Sequence, residues 1–183
     1  MLTFDLKSLR IDFTFGFFFI VALTTLSYNR LGVLSLLFCI VHEFGHLFMM
    51  CLFGVKLHAL RFYGAGIKIT TDPADTLPRP LTALIYLAGP LANLLLASFL
   101  TDDACALNIA IAIFNLLPIS YFDGGKLVSL AIKNRGVLCF LSATSYIMLT
   151  ALTVISTVNN PAALNPSSLL TMVFVALACI FDG

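Results

Sequence analysis

The stretch from Leu31 to Phe53 is apolar enough to cross a bilayer as a helix, which takes ~20 such residues. Its second half nevertheless carries His42-Glu43-Phe44-Gly45-His46. Ionisable groups at bilayer depth are costly and mark function or pairing. In a helix, His42 and His46 fall on one face, one turn apart. The pentapeptide is then H-E-x-x-H, two metal-binding imidazoles with a carboxylate between them placed to act as a general base. A chain that contains it must be helical here and must turn that face toward protein or a wet cavity, away from lipid.

The rest of the composition agrees with a bilayer setting. Hydrophobic residues make up 60% of the 183 positions and charged residues 10%, against about 25% charged in an ordinary soluble domain, and the mean hydropathy is +1.04. So much length goes into spans that residues 1–183 read as one membrane-embedded domain. The formal charge of +1, with no run of like charges, gives nucleic acid no footprint. Cys39, Cys51, Cys105, Cys139 and Cys179 stand in or beside apolar runs without a C-x-x-C pair, so they read as small buried hydrophobes. Lys7 and Arg10 ahead of Phe13 to Leu26 have the outline of a secretory signal but lack a small-residue cleavage site, which makes the segment a retained first span.

The predicted fold class is an all-α polytopic membrane protein with about six transmembrane helices and a small β-hairpin after the second. Spans are expected at Phe13–Ser27, Leu31–Phe53, Leu81–Leu100, Ala104–Ile119, Val137–Val158 and Ser167–Phe181, with residues 1–12 lying at the membrane surface. The hairpin comes from two alternating runs, Val55 to Phe62 and Ile67 to Thr70, around Gly64-Ala65-Gly66. With six spans, Lys7, Arg10, Lys56, Arg61, Lys68, Arg79, Lys126, Lys133 and Arg135 share one side, and only Arg30 is on the other. The positive-inside rule puts that side, and both termini, in the cytoplasm, and the chain is expected in a bacterial cytoplasmic membrane.

A hydrolytic zinc site takes three protein ligands and keeps one position for water, whose pKa the metal lowers to about 7. The pentapeptide supplies two ligands. Asp5, Asp12, Asp72, Asp75, Asp102, Asp103 and Asp182 lie outside the spans or on the opposite side, which leaves Asp123. Pro118 interrupts the fourth run and Gly124-Gly125 frees the backbone, so the chain can turn that carboxylate inward. Glu43 is then the proton-carrying group and one zinc ion per chain the cofactor. Asn93 and Asn115 are amides in apolar helices; either can steady a peptide carbonyl or oxyanion, and either can tie helix to helix, a structural role favoured for Asn93 and evenly balanced for Asn115. Three ionisable groups in one span are poorly explained as structural pairing. His58 has no partner at ligand spacing and reads as a surface residue, and the Phe15 to Phe19 run and Met49-Met50 read as span and packing residues.

His42-Glu43-Phe44-Gly45-His46, then Ala88-Gly89-Pro90 with Asn93, then Asn115-Leu116-Leu117-Pro118 leading to Asp123-Gly124-Gly125 together resemble the site-2 protease family of intramembrane zinc metalloproteases. The resemblance covers a catalytic core of about residues 31–136. It implies His42, His46 and Asp123 as zinc ligands, Glu43 as the catalytic carboxylate, and a substrate or transition-state role for Asn115. The segment Arg61 to Gly66 is similar to a membrane-embedded β element of that family, on which an extended substrate can add as a strand. The layout looks like the bacterial sporulation-protease branch, whose members cut membrane-tethered precursors of transcription factors; no PDZ or cystathionine-β-synthase-type domain is expected within 1–183. The function implied is zinc-dependent intramembrane proteolysis of a membrane-associated protein near the cytoplasmic face. The alternatives are a catalytically silent regulator that keeps the fold, and a metal transporter, which would want further ligands stepping through the spans. Substrate identity and oligomeric state are not legible.

Overall fold

The computed structural model describes residues 2–6, 9–26, 30–63, 66–71 and 77–159. The chain divides into two compact units, Met1–Ala112 and Ile113–Gly183.

The first unit opens with strands β1 (Leu2–Leu6) and β2 (Leu9–Phe13), continues through helices α1 (Phe15–Leu26) and α2 (Arg30–Leu52), returns to strands β3 (Leu57–Tyr63) and β4 (Gly66–Thr71), and proceeds to α3 (Arg79–Ala97) and α4 (Asp102–Asn115). The expected hairpin is present as β3–β4, but the sheet has four strands in the order β1-β2-β3-β4. Residues 1–12, expected as a surface segment, supply the other two strands, so the all-α class is corrected to a mostly helical chain with a small sheet. The central pair, β2–β3, is parallel and the outer pairs are antiparallel.

The register sorts the sheet by polarity. Leu2 opposes Phe13, Phe4 opposes Ile11, Ile11 opposes Leu60, Phe13 opposes Phe62, and Leu60 and Phe62 oppose Ile69 and Ile67. Because side chains alternate along a strand, these residues share one face. The other face carries Thr3, Asp5, Arg10, Asp12 and Arg61. The rings of Phe13 and Phe62 stack at 4.6 Å, and Phe17 of α1 packs on both. On the polar face Asp12 is 1% exposed and is held by Arg10 at 3.0 Å and Arg61 at 3.4 Å. Burial pushes its carboxyl up, but hydrogen bonds from Arg10 and Thr3 and the two guanidinium groups outweigh that and set it below the ordinary 3.8.

Helix α2 buries a single stripe, Phe38, His42 and His46, each one turn from the last. It packs on α3, which buries Ile85, Ala88, Gly89, Pro90, Asn93 and Ala97. Glycines set the closeness of the two: a Cβ on Gly45 would come 2.5 Å from Ala88 O and 2.9 Å from Ala92 Cβ, the small-residue contact by which membrane helices approach. Gly54, with φ +70°, ends α2 in a left-handed cap in which the Val55 amide donates to Met50 O at 2.9 Å. The acidic Thr101-Asp102-Asp103 segment leads into α4, whose amino end its carboxylates suit.

The second unit is described through Asn159. After α4 a tight turn leads to α5 (Asp123–Ala131) and then α6 (Arg135–Asn159). Residues 124–136, which fall between the fourth and fifth expected spans, are thus largely helical. Ile119 and Phe122 are buried, with Phe114, Leu117, Tyr121, Tyr146 and Leu149 packed around them.

Among the described residues, three segments are long and apolar enough to cross a membrane: Arg30–Leu52, Arg79–Ala97 and Arg135–Leu152. They keep large side chains such as Phe44, Phe48, Leu95, Phe140 and Ile147 more than 60% exposed, which is stable in lipid and a liability in water. With its membrane-length helices, the chain has the build of a membrane protein. α1 and α4, with 12 and 14 residues, fall short of the ~20 that a perpendicular crossing takes. The expected sixth span lies outside the described residues.

Candidate metal centre

In the first unit the i, i+4 spacing brings the two imidazoles together as expected. His42 and His46 are 4% and 6% exposed, and their rings meet edge to face with centroids 4.8 Å apart. His46 Nδ1 lies 2.7 Å from Ile85 O, a carbonyl that only accepts, so Nδ1 carries the hydrogen. His42 Nδ1 lies 2.9 Å from Asn93 Oδ1. The orientation of that amide follows from its other end: Asn93 Nδ2 donates to Phe38 O at 3.0 Å and to Asn108 Oδ1 at 2.9 Å. Both rings therefore carry a hydrogen on Nδ1, and in the neutral form the lone pair sits on Nε2. The two Nε2 atoms face each other at 3.2 Å.

Gly89 of α3 lies against this pair. A Cβ there would meet His46 Nε2 and would come 2.6 Å from His42 Nε2, so the absence of a side chain keeps space at the two Nε2 atoms. Histidine ligands that give their other ring hydrogen to a carbonyl or amide oxygen are the usual arrangement around zinc.

In the second unit Asp123 is the first residue of α5 and is 5% exposed. Backbone packing positions it. Gly124 and Gly125 lie so close to the preceding turn that a Cβ would meet Leu116 O at the first and Ile119 O at the second. The turn is latched from α6 by Ser142, whose hydroxyl accepts from the Ser120 amide at 3.0 Å and lies 3.3 Å from Pro118 O. Lys126 Nζ reaches Asp123 Oδ1 at 3.3 Å. Pro118 lies in this turn, beyond Asn115, where α4 ends.

His42 and His46 are buried in the first unit and Asp123 is buried in the second; imidazole and carboxylate are both donor types that zinc takes. Glu43 is half-buried on α2, directly after His42, and Asn115 is half-buried at the end of α4. His58 is exposed on β3. Sequence reasoning missed Asn108, which is fully buried although it stands in plain view as an amide within Ala104 to Phe114. It also missed Ser142, one hydroxyl among several in α6, whose spacing carries no signal.

No family model and no curated protein matches the chain. Among solved structures it is similar to the site-2 protease from Methanocaldococcus jannaschii, at 19% sequence identity and a TM-score of 0.59, over 97% of this chain and 93% of that one. At that identity the likeness is one of fold.

Proposed function

We propose that the chain is a zinc-dependent intramembrane endopeptidase that cleaves a membrane-associated protein near the cytoplasmic face, with one zinc ion held by His42, His46 and Asp123. The observation that carries this is the facing of two Nε2 atoms at 3.2 Å in rings whose Nδ1 hydrogens are already given to Asn93 and Ile85. Two imidazole nitrogens at that distance share a proton or a metal ion, and the buried carboxylate of Asp123, which would complete a three-donor set, favours the metal.

Zinc there supplies Lewis acidity toward a peptide carbonyl and acidifies water. Glu43 accepts the proton of the attacking water and delivers it to the leaving amine. Asn115 steadies the carbonyl oxygen as charge develops on it. The substrate helix has to unwind first, since a helical backbone shields its carbonyls; the resemblance in the motifs and the fold of the site-2 protease neighbour both support this class of substrate. The bias of Lys and Arg to one side supports a cytoplasmic orientation of both termini.

The test is to co-express a membrane-tethered candidate substrate with the wild-type chain or with Glu43→Gln and to measure cleavage and zinc content together. We expect full zinc content and a rate lower by about 10²–10⁴-fold in the variant. Cleavage that survives Glu43→Gln, or a wild-type chain purified without zinc, would rule the protease out.

A further inference from the structure

We infer that Asn108 is a positioning residue for the metal centre, acting through Asn93 on the tautomer and aim of His42; the inference rests on the zinc site proposed above. The chain of hydrogen bonds has one direction. Ala104 O can only accept, so Asn108 Nδ2, at 2.9 Å from it, must be the donor end of the Asn108 amide. Asn108 then presents Oδ1 to Asn93, which gives it one Nδ2 hydrogen at 2.9 Å and gives the other to Phe38 O at 3.0 Å. With both amide hydrogens used, Asn93 presents Oδ1 to His42 Nδ1 at 2.9 Å. Three helices contribute: α4 the anchor, α3 the relay, α2 the ligand.

Two acceptors on Asn93 Nδ2 matter more than one. With Phe38 O alone, rotating the Asn93 amide by half a turn sets a single pair of oxygens against each other. With Asn108 Oδ1 also in place, the rotated amide faces two acceptors in a buried setting, where each unmade hydrogen bond is expensive. The rotated amide would offer N–H to His42 Nδ1 and drive the ring hydrogen to Nε2, the nitrogen that must be bare to bind a metal. Asn93 and Asn108 are both 0% exposed, so water is not on hand to substitute for the missing acceptor. Linked amides also polarise one another, which makes Asn93 Oδ1 a better acceptor for the ring hydrogen.

Substitution at an outer hydrogen-bond partner of a metal-bound histidine typically lowers metal affinity 10–100-fold. Asn108 lies one link further out, and we expect Asn108→Leu, close to isosteric and without polar atoms, to weaken zinc binding about tenfold in competition with a chelator, using the full chain in detergent micelles. Asn108→Asp keeps an acceptor oxygen toward Asn93 and should recover most of that loss. In an Asn93→Leu background, Asn108→Leu should do nothing further. A second readout needs no metal: in the zinc-free protein the ring ¹⁵N shifts of His42, assigned against His42→Gln, should report Nδ1–H in the wild type and a mixture of tautomers in Asn108→Leu.

Unchanged tautomer and unchanged zinc affinity in Asn108→Leu would overturn the inference. Losses that add across the Asn93 and Asn108 substitutions would also overturn it, since Asn108 would then act by helix packing alone. A wild-type chain that binds no zinc would refute the protease while leaving the nitrogen shifts to decide the relay.

Discussion

The two imidazoles and the carboxylate are held by opposite means. His42 and His46 are aimed by hydrogen bonds that their Nδ1 atoms donate to Asn93 Oδ1 and Ile85 O, so what matters around them is which atom donates. Asp123 is aimed by the path of the main chain, with Gly124 and Gly125 pressed on carbonyls of the preceding turn. There, what matters is the room for a Cβ. The first design tolerates a polar replacement of similar shape and fails when an acceptor is removed, while the second depends first on shape and fails on any added carbon.

The sharpest way to break this contrast is Gly89→Ala. Its Cβ would strike both Nε2 atoms, and the rings cannot swing aside without giving up their Nδ1 hydrogen bonds. We expect zinc affinity to fall about 100-fold or more, at the upper end of losses from disturbed ligand aim, with helix content by circular dichroism kept. Wild-type affinity in this variant would show that the imidazoles are looser than the hydrogen bonds imply. Gly125→Ala should come next, destabilising the α4–α5 turn by about 1–3 kcal/mol, the usual range for overpacking. Hydrogen exchange at Ser120 to Lys126 would read it, and unchanged protection would remove the case for backbone control of Asp123.

Ser142→Ala tests the same turn more gently. Losing the hydroxyl that accepts from the Ser120 amide should cost about 1 kcal/mol, seen as faster exchange of that amide with α6 intact. The smallest effect lies outside both arms, at Asp12. Its carboxyl titrates below its ordinary 3.8 in the folded chain, so its contribution is complete above that value and is lost as pH falls through the lower folded value. The thermal midpoint of the wild type should hold its Asp12 contribution from pH 7 to near pH 4 and lose it only below, a loss absent in Asp12→Asn. A difference that opens already near pH 6 would contradict the depressed carboxyl.

Much of this was legible because the bilayer makes polar residues conspicuous. His42, His46 and Asp123 stood out as costly groups in apolar surroundings, and α2 and α3 from their length and hydropathy; their Nδ1 partners did not, because a carbonyl such as Ile85 O has no signature in a sequence. The β3–β4 hairpin was found by alternation, yet Leu2-Thr3-Phe4-Asp5-Leu6 and Leu9-Arg10-Ile11-Asp12-Phe13 alternate just as strictly. They were overlooked although β1 and β2 pair locally; what ties that pair into a sheet is β3, which lies some fifty residues away in sequence. α5 was hidden for a related reason: Gly124-Gly125 argues for a loop by propensity, and only the close approach of the turn explains glycines inside a helix. Asn108 was readable as a buried amide, but its direction of donation was not.

The parallel pairing of β2 with β3 also acts as a parity check on the path of the chain. Arg10 to Phe13 and Ala59 to Phe62 are hydrogen-bonded neighbours in one sheet, although α1 and α2 separate them in sequence. Whatever excursion begins after Phe13 has therefore been reversed by Leu57. If α2 crosses a bilayer, the segment of α1 has to supply the compensating passage, short as it is, and a reporter fused ahead of Leu2 and one inserted after Thr71 are then expected to answer from the same compartment.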